Sequence, residues 1–417
     1  MINKETGLRE LCYVVNIDAI EPIIGSDNCE AAVVGGWKIM VRKDTFKVGD
    51  KAVYFEIDSK LPETKEYEFL AKKHYKVKTQ KYTFGGKGNF ISQGLLMSFT
   101  DWIDEEGKIP SWLAALNLQR ANDVDITGTF LTNTLGVKYS VIEDNKRKAS
   151  VDKYKKMAQR HWKLFKHNKF IQWLYEKNWG KKLLFFFLGN KSDTKASFWP
   201  DWVIKTDEER VQNLPQLFPP DNTEWFVTEK IDGTSTTFTM KRAKRNKYDF
   251  YVCSRNICFD KPEKEKKLFY ENNVYTEMAI KYNIEEVLKN ILNIHNDINF
   301  VTIQGETYGK AIQKRDYGMD TIDFNAFNLI FGYKDGKTKR FNPREMKEIL
   351  TNTYNIPCVP ILDEHFKLPN SIDEMIAYAD GNSKIDGEYR EGVVLRTSDG
   401  VNSFKAVSNE YLLKKGE

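Results

Sequence analysis

Apolar and polar positions divide the chain into three stretches of different period. Up to about residue 135, short runs rich in β-branched and aromatic residues recur over 11–20, 31–43, 51–57 and 93–99, a composition that predicts strands. Turn residues separate them at Gly25-Ser26-Asp27-Asn28, Gly49-Asp50 and Gly85-Gly86, so a small β-barrel is expected. From about 146 to 180 the period lengthens. Tyr154, Ala158, Trp162 and Phe165 stand at steps of four, four and three, one apolar stripe of a helix with lysines around it. Between 189 and 224, Pro200, Pro215, Pro219 and Pro220 break any long helix. Beyond them strand-like runs over 225–229 and 234–240 precede a helical stripe of Ile284, Val287, Leu288, Ile291 and Leu292, and Ser371 with Glu374 predicts a capping box. The expectation is a multi-domain α+β protein: a barrel over 1–137, a basic helical connector over 138–200 and an α+β core over 201–417.

At 417 residues the chain exceeds one ordinary core, and 41% hydrophobic with 29% charged residues excludes wholesale disorder. The longest apolar run, 183–188, is too short to span a bilayer and reads as a buried strand or helix piece. Asn3, Lys4, Glu5, Arg9 and Glu10 interrupt any signal-peptide pattern, so a soluble intracellular protein without a membrane partner is expected. Cys12, Cys29, Cys253, Cys258 and Cys358 are an odd, scattered set, against a disulfide framework, and Cys253 with Cys258 lacks the second pair of a zinc site. The net charge of +5 hides an asymmetry: residues 138–191 hold 15 Lys and Arg against 4 Asp and Glu. Such a block suits a phosphate backbone. A solvated helix would explain the lysines equally well, but Trp162, Trp173 and Trp179 raise the nucleic-acid reading beside it, with Lys153, Lys155, Lys156, Arg160 and Lys163 as candidate RNA contacts.

Chemistry concentrates in six short segments. Lys230-Ile231-Asp232-Gly233-Thr234-Ser235 comes first, then Ser254-Arg255-Asn256, Gln304-Gly305-Glu306-Thr307-Tyr308-Gly309, Asp323-Phe324-Asn325-Ala326-Phe327-Asn328, Glu391-Gly392-Val393-Val394-Leu395-Arg396 and Ser403-Phe404-Lys405. Each alone has a bland reading: Asp232-Gly233 as a hairpin turn, Glu306 as a surface carboxylate, Phe327 as a core aromatic. Together they suit a lysine nucleophile. Its amine attacks phosphorus only when neutral, which requires a shift of roughly three to four units from a pKa of about 10.4. Arg255, Lys405 and a divalent metal held by Asp232 and Glu391 would each disfavour charge on Lys230, and would stabilise departing pyrophosphate.

The ordered set resembles the collinear motifs of the ATP-dependent RNA ligases, within the covalent nucleotidyltransferase superfamily that also holds DNA ligases and capping enzymes. The likeness runs from about 205 to 413 and implies a nucleotidyltransferase (ATP-grasp-like ligase) domain over 201–417. It implies that Lys230 becomes lysyl-AMP, that Asp232 and Glu391 serve the metal, and that Lys405 contacts the α-phosphate. It also implies that Arg255 contacts ribose or phosphate with Asn256 close by, that Glu306 binds the ribose hydroxyls, that Phe327 stacks on adenine, and that Glu229, Gly233 and Val393 line the ATP site. One departure is that the family often carries two lysines two residues apart in its last motif, whereas Ser403 and Val407 flank Lys405 here.

Ile20-Glu21-Pro22-Ile23, Gly36-Trp37-Lys38, Phe46-Lys47-Val48-Gly49-Asp50 and Tyr54-Phe55-Glu56-Ile57-Asp58 resemble the N-terminal OB module of the Naegleria and Deinococcus branch. Twelve residues follow Lys405, so the barrel ahead of the core is expected to replace the OB domain that DNA ligases and capping enzymes place after it. The resemblance implies sealing of 3′-hydroxyl and 5′-phosphate ends, at nicks in RNA-containing duplexes, with ATP and Mg²⁺ or Mn²⁺, by a monomer. The competing readings are an RNA-binding protein with an inactive ligase-like domain and another polynucleotide ligase of the superfamily.

Overall fold

The computed structural model describes residues 1–3, 9–85, 88–139, 157, 161, 164, 168–188, 199–200, 202–204, 207–243, 247–255, 258–259, 274–313 and 315–415. In the N-terminal part, one antiparallel sheet joins Cys12–Asn16, Lys51–Phe55 and Leu95–Met97, and another joins Ala19–Pro22, Cys29–Val34 and Trp37–Arg42. Cys12–Asn16 is buried on both faces. Cys12 and Val14 enter one core with Phe55 and Leu113, while Tyr13 and Val15 enter another with Trp37 and Tyr54, which is why this segment shows little alternation. The run predicted over 31–43 is two strands, folded back at Gly35-Gly36. That turn docks on the C-terminal part: Gly36 N–H donates to the Gln212 carbonyl at 2.8 Å, and a Cβ on Gly36 would lie 2.8 Å from Gln212 Cα.

A buried polar network completes this junction. Glu56 has no exposed surface and accepts from Arg9 Nε at 2.9 Å, Tyr13 Oη at 3.1 Å and Asn213 Nδ2 at 3.2 Å. Asn213 Oδ1 in turn accepts from Trp37 Nε1 at 2.6 Å. Burial would raise the Glu56 pKa, but Arg9, the Met1 α-amine and Arg210 overcome it and hold it down at about 2.

The C-terminal part is built on two sheets. The six-stranded one runs Cys258–Phe259, Tyr248–Ser254, Thr234–Arg242, Ile298–Gly309, Ile322–Tyr333, Thr338–Arg340; the five-stranded one runs Glu209–Arg210, Ser403–Val407, Gly392–Thr397, Glu224–Lys230, Ile361–Lys367. Helix Ile284–Ile294 buries the whole predicted stripe against the first sheet. Ser371 caps helix Ile372–Ala379 by accepting from Glu374 N–H at 3.2 Å, but the Glu374 carboxylate turns to Asn370 N–H rather than closing the box on Ser371. Glu224–Lys230 and Thr234–Arg242 belong to different sheets. Lys230-Ile231-Asp232-Gly233 is therefore a crossover between sheets, and the hairpin-turn reading fails.

Between the two parts, helices Lys169–Glu176 and Asn178–Leu188 form a hairpin around Leu174, Leu184 and Met157. The run over 183–188 lies in its second helix and is not a buried piece: Leu184 is inside, whereas Phe186 and Phe187 are 80% and 72% exposed. A two-helix hairpin covers only one face of each helix, so a continuous apolar run must leave some members in solvent. Tyr154, Ala158, Trp162 and Phe165, like Lys153, Lys155, Lys156, Arg160 and Lys163, lie outside the described residues.

Candidate active site

The crossover sets the nucleophile candidate between the sheets. Lys230 is the last residue of its strand and pairs with Gly392, which puts Glu391 one residue beyond the register partner. Lys230 Nζ lies 2.6 Å from Glu391 Oε1. On the other sheet, Ser235 pairs with Glu306 and Thr234 with Thr307, so the motif around Glu306 faces the start of the next strand. A Cβ on Gly233 would come within 2.3 Å of the Thr307 carbonyl oxygen and 2.9 Å of Glu306 Cγ, and glycine is what lets the crossover lie this close. Asp232 is buried, and its N–H donates to Tyr317 Oη at 2.7 Å.

Electrostatics at Lys230 differ from the sequence expectation. Burial lowers its pKa, but Glu391, Glu306 and Asp232 outweigh that and hold it above the ordinary lysine value. Arg255 and Lys405, the cations expected to repel it, are both paired with one carboxylate: Asp207 lies 2.7 Å from Arg255 Nη2 and 2.6 Å from Lys405 Nζ. Burial opposes the charge on Asp207, yet Lys405, Arg255 and Arg9 keep its pKa well below the usual range. Glu306 is pushed up to about 8, by burial first and then by Glu391 and Asp232, with Lys230 opposing.

Asp232 and Glu391 both act on the one ammonium of Lys230, and two carboxylates are donors suited to a hard divalent cation. Among the described residues no cluster of three or more His, Cys, Asp or Glu forms a metal cage. Two carboxylates completed by water and substrate phosphate are what Mg²⁺-type sites use, so Asp232 and Glu391 fit as a metal pair. A cation there would compete for Glu391 and withdraw the carboxylate that keeps Lys230 charged.

Phe327 rests on a β-bulge. Gln304 pairs with Asn328 and Gly305 with Ala326, so Phe327 has no partner in the ladder. Phe324 and Ala326 before the bulge, and Leu329 and Phe331 after it, all enter the core, whereas half-buried Phe327 packs with Ile231, Tyr308, Tyr317 and Val359. Arg396, fully inside, braces the bulge by donating Nη1 to the Phe327 carbonyl at 3.1 Å and Nη2 to Asn328 Oδ1 at 2.6 Å. Beside Lys230, Glu229 is buried; its Oε2 accepts from Lys384 N–H at 2.8 Å, and its Oε1 has no hydrogen-bond partner among the described residues. That oxygen suits an amino donor such as adenine carries. Val393 is instead fully buried in the core with Leu395 and Phe404, and Asn256 lies outside the described residues.

Several residues at the site carry no signal in the sequence motifs. Asp207 belongs to an acidic run, Asp207-Glu208-Glu209, that gives the only local hint. Glu208 takes the Ser403 hydroxyl and Arg340, while Val407, on the other side of Lys405, is buried with Ile57 and Leu412. Arg9 and Tyr139 come from the N-terminal part: the Tyr139 ring lies 5.7 Å from the Arg9 guanidinium and 5.5 Å from that of Arg255. Arg9 also acts on Asp207, so a residue ahead of the ligase-like motifs reaches the field of the candidate site.

This architecture has known counterparts. The RNA ligase family matches residues 223–407, and an OB-fold domain family matches residues 11–98. The Naegleria gruberi RNA ligase with pyrophosphate is 26% identical over 98% of this chain and 99% of its own, with a TM-score of 0.67. A lysine-to-alanine variant of that enzyme with ATP and manganese gives 25% identity, coverage of 98% of each chain and the same TM-score. A lysine-to-methionine variant with AMP and manganese gives 25% identity, 97% and 99% coverage and a TM-score of 0.68. No curated protein matches. Among the described residues no helix is long and apolar enough to cross a membrane. Residues 223–407 are therefore an RNA ligase-family core with an OB-fold domain ahead of it over 11–98, and the chain is similar to the Naegleria enzyme along nearly its whole length.

Proposed function

We propose that this protein is an ATP-dependent RNA ligase that joins a 3′-hydroxyl to a 5′-phosphate at nicks in RNA-containing duplexes. The observation that carries this reading is the convergence of Lys230 with Glu391 at 2.6 Å, with Glu306 and Asp232 acting on the same amine. Neutral Lys230 attacks the α-phosphorus of ATP, forming a P–N bond as pyrophosphate leaves. The 5′-phosphate of the RNA then takes AMP from the lysine, and the 3′-hydroxyl displaces AMP to form the phosphodiester.

Each residue has a task in this scheme. Glu391 accepts hydrogen bonding from the Lys230 amine and, with Asp232, would hold Mg²⁺ or Mn²⁺, which supplies charge neutralisation at the phosphates when bound. Lys405 and Arg255 are the cations for phosphate, and ATP would take over the role Asp207 plays for them. Glu306 sits where a ribose hydroxyl can be bound, Phe327 offers its ring to adenine and Glu229 Oε1 accepts from the amino group. Two glutamates and a lysine substituted in the Naegleria structures are spaced along that chain as Glu306, Glu391 and Lys405 are along this one, which supports the roles.

Incubation with ATP labelled at the α-phosphate tests the reading. The expected result is a labelled protein band, acid-stable and discharged by pyrophosphate, that is lost in Lys230→Ala and in Lys230→Arg, whose guanidinium stays charged. An unlabelled wild-type protein would leave an RNA-binding protein with an inactive domain. A comparison of nicked RNA duplex, single-stranded RNA and nicked DNA as sealing substrates then separates the nick-sealing reading from other polynucleotide ligases.

A further inference from the structure

The chain leaves the N-terminal part at Tyr139 and resumes beside the site at Asp207, and Arg255 touches both, lying 5.5 Å from the Tyr139 ring centre and 2.7 Å from Asp207. The segment between them is thus tethered at both ends to the phosphate end of the candidate site. It contains the helical hairpin, whose inner face is occupied by Leu174 and Leu184. Its outer face is aromatic. On the first helix Phe170 and Trp173 stack with ring centres 5.8 Å apart at 22°, and Trp173 meets Trp179 of the second helix at 6.2 Å. Trp179, Leu183, Phe186 and Phe187 follow at the i, i+4, i+7, i+8 spacing of one helix face, and all six side chains are at least 42% exposed. Lys169, Lys177, Lys181 and Lys182 are interleaved with them against one acid, Glu176.

We propose that this aromatic hairpin binds unpaired nucleotides of the RNA substrate, with bases stacked on the rings and phosphates beside the lysines. The inference rests on the RNA ligase reading and extends it to a substrate-holding element outside the ligase core. Three features select RNA as the occupant. The hairpin is leashed to the site where the RNA end must lie, its surrounding segment carries 15 basic against 4 acidic residues, and five of its six outward apolar groups are rings rather than aliphatic chains. Every base has a face that stacks on such rings, whereas a paired duplex hides its base faces, so the site selects unpaired segments.

The test uses the full-length protein and titrates it with a 5′-phosphorylated single-stranded RNA and with a fully paired RNA duplex, read by fluorescence anisotropy. Trp173→Ala/Trp179→Ala and Phe186→Ala/Phe187→Ala change exposed side chains, and circular dichroism checks their fold. Each pair is expected to weaken single-stranded RNA binding at least about tenfold while duplex binding changes little. Trp173→Phe/Trp179→Phe should retain most of the affinity, because the ring is kept. Unchanged single-stranded affinity in both alanine pairs would overturn the proposal. So would an alanine pair that keeps RNA affinity while losing flotation with phosphatidylglycerol vesicles, which would make the face a lipid contact. Loss of a wild-type dimer in sedimentation with RNA affinity intact would assign the face to a second copy, and overturn it too. Lysyl-AMP formation by all variants is the separate readout: its absence in the wild type defeats the ligase reading, while the RNA titration still judges the hairpin.

Discussion

Glu56→Gln is the most quantitative probe of how the two parts of the chain are joined. The wild-type carboxylate has no exposed surface and a pKa of about 2, against an ordinary value near 4.5. A depression of that size corresponds to about 3 kcal/mol of native-state preference for the ionised form. Because the folded pKa is depressed, this contribution is fully present above the unfolded pKa and fades as pH falls toward 2. Of the roughly 3 kcal/mol at pH 7, about half would remain near pH 3. Glutamine keeps the shape and one acceptor but cannot balance Arg9, so Glu56→Gln should lose a comparable amount at pH 7. Urea unfolding of both proteins at pH 7 and near pH 3, followed by tryptophan fluorescence, measures the difference directly. The gap between them should shrink by about 1 to 2 kcal/mol on acidification. A gap below about 1 kcal/mol at pH 7, or one that stays constant with pH, would refute the assignment of Glu56 as an ionised junction residue.

Asp232→Ala and Glu391→Ala should each lose lysyl-AMP formation, and normal labelling of Glu391→Ala across pH would give that carboxylate another task. Phe327→Leu should raise KM for ATP with the fold intact. Arg396→Met should raise the same KM and also lower stability by about 2 kcal/mol, through two lost charged hydrogen bonds; an unchanged KM in both variants rejects the bulge as the base platform. Arg9→Met should slow lysyl-AMP formation, since Arg9 helps set the field at Asp207, and a rate equal to wild type would confine Arg9 to structure. Neutralising Lys153, Lys155, Lys156, Arg160 and Lys163 together should flatten the log-log salt dependence of RNA binding by roughly 0.7 to 0.9 per lost contact, and equal slopes would mark these residues as solvated surface.

Where the candidate site is written in consecutive residues, its placement was legible in the sequence. Lys230, Asp232 and Gly233 occupy one crossover, and the helix over 284–294 was legible because five apolar residues repeat at the helical period. Phe327 was ambiguous between pocket and core because strand parity alone decides that choice, and the bulge that changes parity has no marker in the sequence. Asp207 was missed for another reason. Its importance lies in two cations brought from Arg255 and Lys405 by sheet pairing, and Arg9 reaches the same field from the far end of the chain. The expected low pKa of Lys230 likewise needed the knowledge that Asp207 already engages the neighbouring cations. The 183–188 run shows that apolar character does not by itself mean burial, because a two-helix hairpin has too little partner surface to cover it.

The unpaired position at Phe327 has an implication for how this segment can vary. Gly305 already faces Ala326 and Gln304 already faces Asn328, so removing residue 327 would close the ladder at that point with the flanking side chains on the faces they now hold: Ala326, Leu329 and Phe331 stay in the core. Only the ring that packs with Ile231 and Val359 would go. Loss of that one residue should therefore cost the candidate site more than it costs the fold, and a descendant of this sequence with a shortened segment between Asp323 and Phe331 would keep its sheet while giving up the position Phe327 holds.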